Sequence, residues 1–192
     1  MCKLIFISLF TLSIISCSTD KTTNTETIEP QKTLGQSVNS DSFNLGFNAL
    51  MNDYYELKNA FIKENIDAIN KASNSLSTNA SLLKISELKA DSLIINVAKL
   101  YTRNLQDELS GLIKESDIEN KRMSFQIVTS DVYDLIRTVK YDRAKVYLQH
   151  CPMAFKNKGA DWLSNSSEIE NPYLPKMMLD CGEIKDSVNF NN

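Results

Sequence analysis

The sequence predicts a mainly helical α+β fold, an antiparallel four-helix bundle with a small C-terminal cap of short strands and turns. Three observations lead there. Apolar residues recur at three- and four-residue intervals through most of residues 43–140, the spacing of one buried helix face per segment. Beyond Lys140 that period gives way to alternation, and Pro152, Pro172 and Pro175 follow in the final stretch. A chain of 192 residues also has the length for one domain with a buried core. The expected domain is 43–192, with the bundle at 43–140 and the cap at 141–192.

Phe47, Leu50, Tyr54, Leu57 and Phe61 form the first stripe. Glu64-Asn65 interrupts it, and Ile66, Ile69, Ala72 and Leu76 mark a shorter second helix, stopped by the Ser/Asn-rich run from Ser73 to Ser81. A third, longer helix is expected from about Ile85 to Leu112, with Leu88, Ile95, Ala98, Tyr101, Leu105, Leu109 and Leu112 as its stripe. Ser116-Asp117-Ile118-Glu119 reads as a capping-box start to a fourth, striped by Phe125, Val128, Val132, Leu135 and Val139. Four such faces joined by short connections pack most economically as a bundle. In the cap, Lys145 to His150 alternates as a short strand, and a second extended segment is expected around Met178 to Ile184.

The N-terminus reads as a targeting segment. Lys3 is followed by an apolar run, Leu4 to Ile15, too short to span a bilayer comfortably. The run ends in Leu12-Ser13-Ile14-Ile15-Ser16-Cys17, which resembles the lipobox of bacterial lipoproteins, so Cys17 is the expected lipidation site and residues 1–17 the signal. Residues 18–42, rich in Thr, Asn, Ser and Glu, read as a polar tether. The expectation is an exported chain, anchored to the membrane through lipid and facing the periplasm or exterior.

With Cys2 in the signal and Cys17 lipidated, the folded domain keeps Cys151 and Cys181. They lie in two segments rich in soft donors, His150-Cys151-Pro152-Met153 and Met177-Met178-Leu179-Asp180-Cys181-Gly182. Thiolate and thioether sulfur select Cu(I), Ag(I) and similar ions over Mg or Ca. Cys151, Cys181, Met153 and Met178 are the leading metal ligands, with His150 and Met177 secondary. Strand alternation sends His150 to the face opposite Cys151. Zinc fits less well, because a four-donor site would need His150 and a strained Asp180 besides the two thiolates. The alternative is a Cys151–Cys181 disulfide, which would close a loop of roughly thirty residues and add about 3 kcal/mol in an interaction or structural module. A redox-active pair is the third reading, against which stands the absence of Cys-x-x-Cys spacing.

Other features carry less chemistry. Trp162 is expected to be the largest core residue of the cap, and Asn171-Pro172-Tyr173 to fix a turn. Asp131 and Asp134 share a helix face and read as solvent-facing acids. One histidine, five glycines and no phosphate-cradling loop give no catalytic constellation, so no enzymatic activity is expected. A formal charge of −3 with mixed signs offers no basic patch for nucleic acid.

The motif residues resemble a known family. Tyr147, Cys151-Pro152-Met153-Ala154, Gly159-Ala160-Asp161-Trp162-Leu163-Ser164, Ile169-Glu170-Asn171-Pro172-Tyr173, Met178-Leu179 and Cys181-Gly182 are similar to the C-terminal signature of a bacterial domain of unknown function, domain of unknown function 3347. Tyr55, Leu57 and Ala60, with Arg122 and Phe125, add a weaker likeness in the helices. Pro175 departs from the pattern, where glycine is expected, and His150 stands where the family prefers aromatic or other residues, so the resemblance lends it no ligand role. The family occurs in small exported lipoproteins and fused to periplasmic adaptor subunits of copper/silver efflux pumps. The resemblance thus implies copper or silver handling beside a metal-efflux adaptor partner.

Overall fold

The computed structural model describes residues 38–190; Cys17, the signal and most of the tether lie outside the described residues. The fold is mainly helical α+β. Four main helices, α1 (Asp41–Ile62), α2 (Ile66–Leu82), α3 (Ser92–Lys114) and α4 (Ile118–Val139), pack pairwise in chain order. A three-stranded antiparallel sheet follows, of β1 (Val146–Cys151), β2 (Ala160–Ser164) and β3 (Glu183–Val188), in the order β2-β1-β3. Among the described residues no helix is long and apolar enough to cross a membrane.

The helix faces follow their apolar stripes, and the departures have local causes. α1 begins at Asp41, just inside the segment read as tether, because Ser40 caps it by accepting the amide of Phe43 at 3.1 Å. α2 runs through the Ser/Asn-rich stretch expected to stop it. The side chains of Asn74, Thr78 and Ser81 donate back to carbonyls of the preceding turn, and Ser73 packs inside the core. α3 starts at Ser92 rather than Ile85, with Asp91 as its cap. Ile85 and Leu88 are buried from a 3₁₀ turn ahead of it, so their apolar spacing mimicked a helix. Asp117, not Ser116, caps α4 by accepting the amides of Glu119 and Asn120. β3 lies downstream of the segment expected to be extended, and Met178 falls in the turn before it.

One continuous core joins bundle and cap. Phe125 of α4 lies between Tyr54 and Phe61 of α1, with ring centroids 5.5 and 4.7 Å apart, and also meets Tyr173 of the cap at 5.9 Å. The Tyr54 hydroxyl shares a hydrogen bond with Thr129 at 2.7 Å and accepts the amide of Leu163 at 3.0 Å, so one buried oxygen ties α1, α4 and β2 together. Lys121, fully buried, donates to the Leu112 carbonyl at 2.7 Å and to Asn70 at 2.8 Å; its ammonium sits on the C-terminal end of α3, where the helix dipole favours a cation.

Asp131, half-buried, is less innocent than its sequence suggests. Desolvation first, then the charges of Asp134 and Glu108, push its carboxyl up from 3.8 to about 6. The native state therefore binds this proton more tightly than the unfolded chain does. The penalty for ionising it is absent below about pH 4 and complete above pH 6. Asp131→Asn is expected to stabilise the fold by about 1–2 kcal/mol at pH 7.5, the gain vanishing near pH 4. Urea titrations of both proteins at the two pH values check this.

Candidate functional site

The geometry of β1 delivers Cys151 to the interior. As the last residue of the strand, paired with Ala160, it is fully buried, whereas His150 one residue earlier faces the other side of the sheet. Cys181 arrives from a turn in which the amides of Met177 and Met178 donate to the Leu174 carbonyl, at 3.2 and 2.8 Å, and the amide of Cys181 donates to Met178 at 3.1 Å. The two sulfurs lie 2.8 Å apart, thirty positions apart in sequence, and both cysteines are free thiols. Sharing that hydrogen bond with Cys151, and desolvation next, raise the Cys181 thiol above its ordinary value; the Met153 amide, donating to its sulfur, works in the opposite direction.

Two residues fix the approach of Cys181. Asn171, fully buried, donates its side-chain amide to the Cys181 carbonyl at 3.2 Å, while its side-chain oxygen accepts the amides of Tyr173 and Leu174. Gly182 lies so close to the cap core that a Cβ there would sit 2.8 Å from the Trp162 ring and 2.9 Å from the His150 carbonyl. Trp162 is thus the floor under the Cys181–Gly182 segment. The Asn171-Pro172-Tyr173 turn is in turn clamped to the bundle by buried Arg122, which donates to the Pro172 carbonyl at 3.1 Å and to Glu64 at 3.0 Å and also pairs with Glu119. Lys176 of the turn before Cys181 pairs with the same Glu64 and, ahead of Arg122, holds its carboxyl below the usual carboxylate range.

The other expected ligands divide. Met153 and Met178 flank Cys181 through backbone bonds, Met153 by its amide and Met178 by its carbonyl. Met153 is exposed, Met178 half-buried, and Met177 lies in solvent at 76 % exposure. His150 is engaged elsewhere: its Nδ1 meets Asp161 at 2.5 Å, and Lys185 holds the other oxygen of that carboxylate at 2.8 Å. Among the described residues no group of three or more His, Cys, Asp or Glu side chains gathers where a metal could be held. The four-donor set that zinc needs is therefore not assembled there. What the fold does bring together is two soft sulfur donors, one buried and one half-buried, a set suited to a soft ion of low coordination number or to a disulfide.

Sequence reasoning named Asp161, Gly182 and Arg122 within the family likeness but gave them no role, and it passed over Glu64 and Lys176 as the partners that complete the clamp. An arginine in a helix stripe followed by a buried Phe125 was their one visible trace. The family match falls on residues 50–144, the helical bundle, and ends just before β1. It takes in the weaker likeness at Tyr55, Leu57, Ala60, Arg122 and Phe125, while the thiol site lies beyond its end. No curated protein and no solved structure matches the chain. By that match, residues 50–144 of the chain carry the domain described as Protein of unknown function (DUF3347).

Proposed function

We propose that this protein is a non-enzymatic, lipid-anchored envelope protein whose cap binds one soft monovalent ion, Cu(I) or Ag(I), between Cys151 and Cys181, in heavy-metal handling beside an efflux adaptor. The observation that carries the reading is the convergence of the two sulfurs to 2.8 Å from segments thirty residues apart. Thiolate sulfur is the donor such ions prefer, and two donors suffice for them. Met153 and Met178, attached next to Cys181 by their backbones, are the adjoining thioethers whose weaker bonds allow exchange. An ion held at about 2.3 Å by each sulfur needs the pair about an ångström or more further apart, an opening that falls to the exposed Met177–Asp180 turn.

The same proximity favours a second reading, in which Cys151 and Cys181 form a disulfide staple and the domain acts through its surfaces as an interaction module. Anaerobic Cu(I) titration against a competing chelator separates the two. The reduced mature protein, freed of its signal and lipidated at Cys17, is expected to take up one Cu(I), and its Cys151→Ser, Cys181→Ser double variant to bind at least roughly a hundredfold more weakly. Equal uptake by both proteins would sink the dithiol site.

A further inference from the structure

A groove of about 950 Å³ opens between α4 and the turn that follows β1. Its lining includes Met123 and Ile127 of α4, Met153 and Phe155 of the turn, and Leu174. Methionine inside a protein is ordinarily core filler, as Met51 is here at 2 % exposure. Met123 and Met153, in contrast, are 51 % and 44 % exposed, and they come from different elements to the same groove. Met153 is also joined to the thiol site, since its amide donates to the Cys181 sulfur.

The turn that presents Met153 is strained. Phe155, Lys156 and Asn157 are three consecutive non-glycine residues in the left-handed region, with φ of 49°, 58° and 67°. Such conformations cost about 1–2 kcal/mol per residue, persist only where the surroundings enforce them, and cluster at ligand sites. Here the T-shaped contact of Phe155 with Tyr173, at 5.3 Å, and the amides of Lys158 and Gly159 on the Ala154 carbonyl hold the turn in place.

The charges around the groove narrow what it could take. Lys156 and Lys158 line it, and its one carboxylate, Glu119, is committed to Arg122. The lysines oppose any cation by charge; a hard cation, which binds by charge, has nothing there to offset this, whereas a soft ion draws on the polarisable sulfur of the two methionines. We infer that Met123 and Met153 form a second, weaker thioether site for the same soft monovalent cation, at the mouth of the dithiol site. The inference rests on the dithiol reading and adds Met123 to the residues that handle the ion.

The test is silver nitrate titration, in chloride-free buffer, of the reduced mature protein labelled with ¹³C at the methionine methyls. The Met123 and Met153 methyl signals are expected to shift together. They should still do so in the Cys151→Ser, Cys181→Ser variant, with affinity reduced at least about tenfold. Met123→Leu, a swap that keeps volume, is expected to abolish the Met153 shift in that double variant. Met51 is the buried control and Met177 the exposed one. Silver bound by the thiols with the Met123 methyl unmoved overturns the thioether site, leaves the dithiol site standing, and returns the groove to a docking surface for an apolar, acidic partner. Met177 shifting as much as Met123 overturns it too, as adventitious thioether binding. Failure of the wild-type protein to take silver at all overturns both.

Discussion

Arg122→Ala is expected to destabilise the protein by about 3–4 kcal/mol. The arginine is almost wholly buried, and its guanidinium spans three structural elements, donating to the Pro172 carbonyl, to Glu64 at the α1–α2 connection and to Glu119 on its own helix. Its removal leaves the Pro172 carbonyl and one oxygen of Glu64 without that donor in a poorly hydrated place. The cost comes from those unmet groups as well as from the lost bonds. Lys58→Ala, at the other tether of the same segment, should cost less, about 1 kcal/mol, because its partner Glu170 is half in solvent. Urea unfolding followed by the fluorescence of Trp162, the chain's one tryptophan, measures both. A second readout is functional. With the clamp gone, the turn before Cys181 is released, and the rate at which a thiol reagent modifies Cys181 is expected to rise in the folded protein.

Trp162→Ala is expected to cost about 3–5 kcal/mol, the range for deleting a buried aromatic ring. Trp162 is fully buried on β2, meets the Tyr173 ring at a centroid distance of 6.2 Å, and leaves Gly182 no room for a side chain. Its indole N–H makes no hydrogen bond, so the loss is one of packing. Trp162→Phe should therefore recover much of the stability. Circular dichroism follows unfolding in both variants, since the fluorophore is gone. Because the ring is the floor beneath Cys181 and Gly182, the alanine variant should also bind silver more weakly than wild type under conditions where both remain folded.

The bundle was largely legible because a helix must bury one face, and burial imposes a period that a single sequence displays. Phe47, Leu50, Tyr54, Leu57 and Phe61 recur at helical spacing, and all five are fully buried. The errors lie where burial and helix part company. Leu88 is buried from a turn, and the polar Ser73–Ser81 run stays helical by returning hydrogen bonds to its own backbone. β3 was expected several residues too early because most of it is exposed, leaving no alternation to fix its bounds. The cysteine pair was legible from chemistry, as the two thiols left to the domain. Its supports were not, since Arg122 to Pro172 spans fifty positions and Leu163 to Tyr54 spans 109. Contacts of that reach are set by tertiary packing and leave no local pattern.

Native mass spectrometry of the reduced mature protein with one equivalent of Ag(I) and a competing chelator tests the cap's role as a soft-ion site most directly. The account predicts a single silver that withstands the chelator, and that is stripped by it after Cys151→Ser and after Cys181→Ser alike, where only the weaker thioether binding remains. A protein that keeps no silver, or one whose silver withstands the chelator after both substitutions, would contradict it.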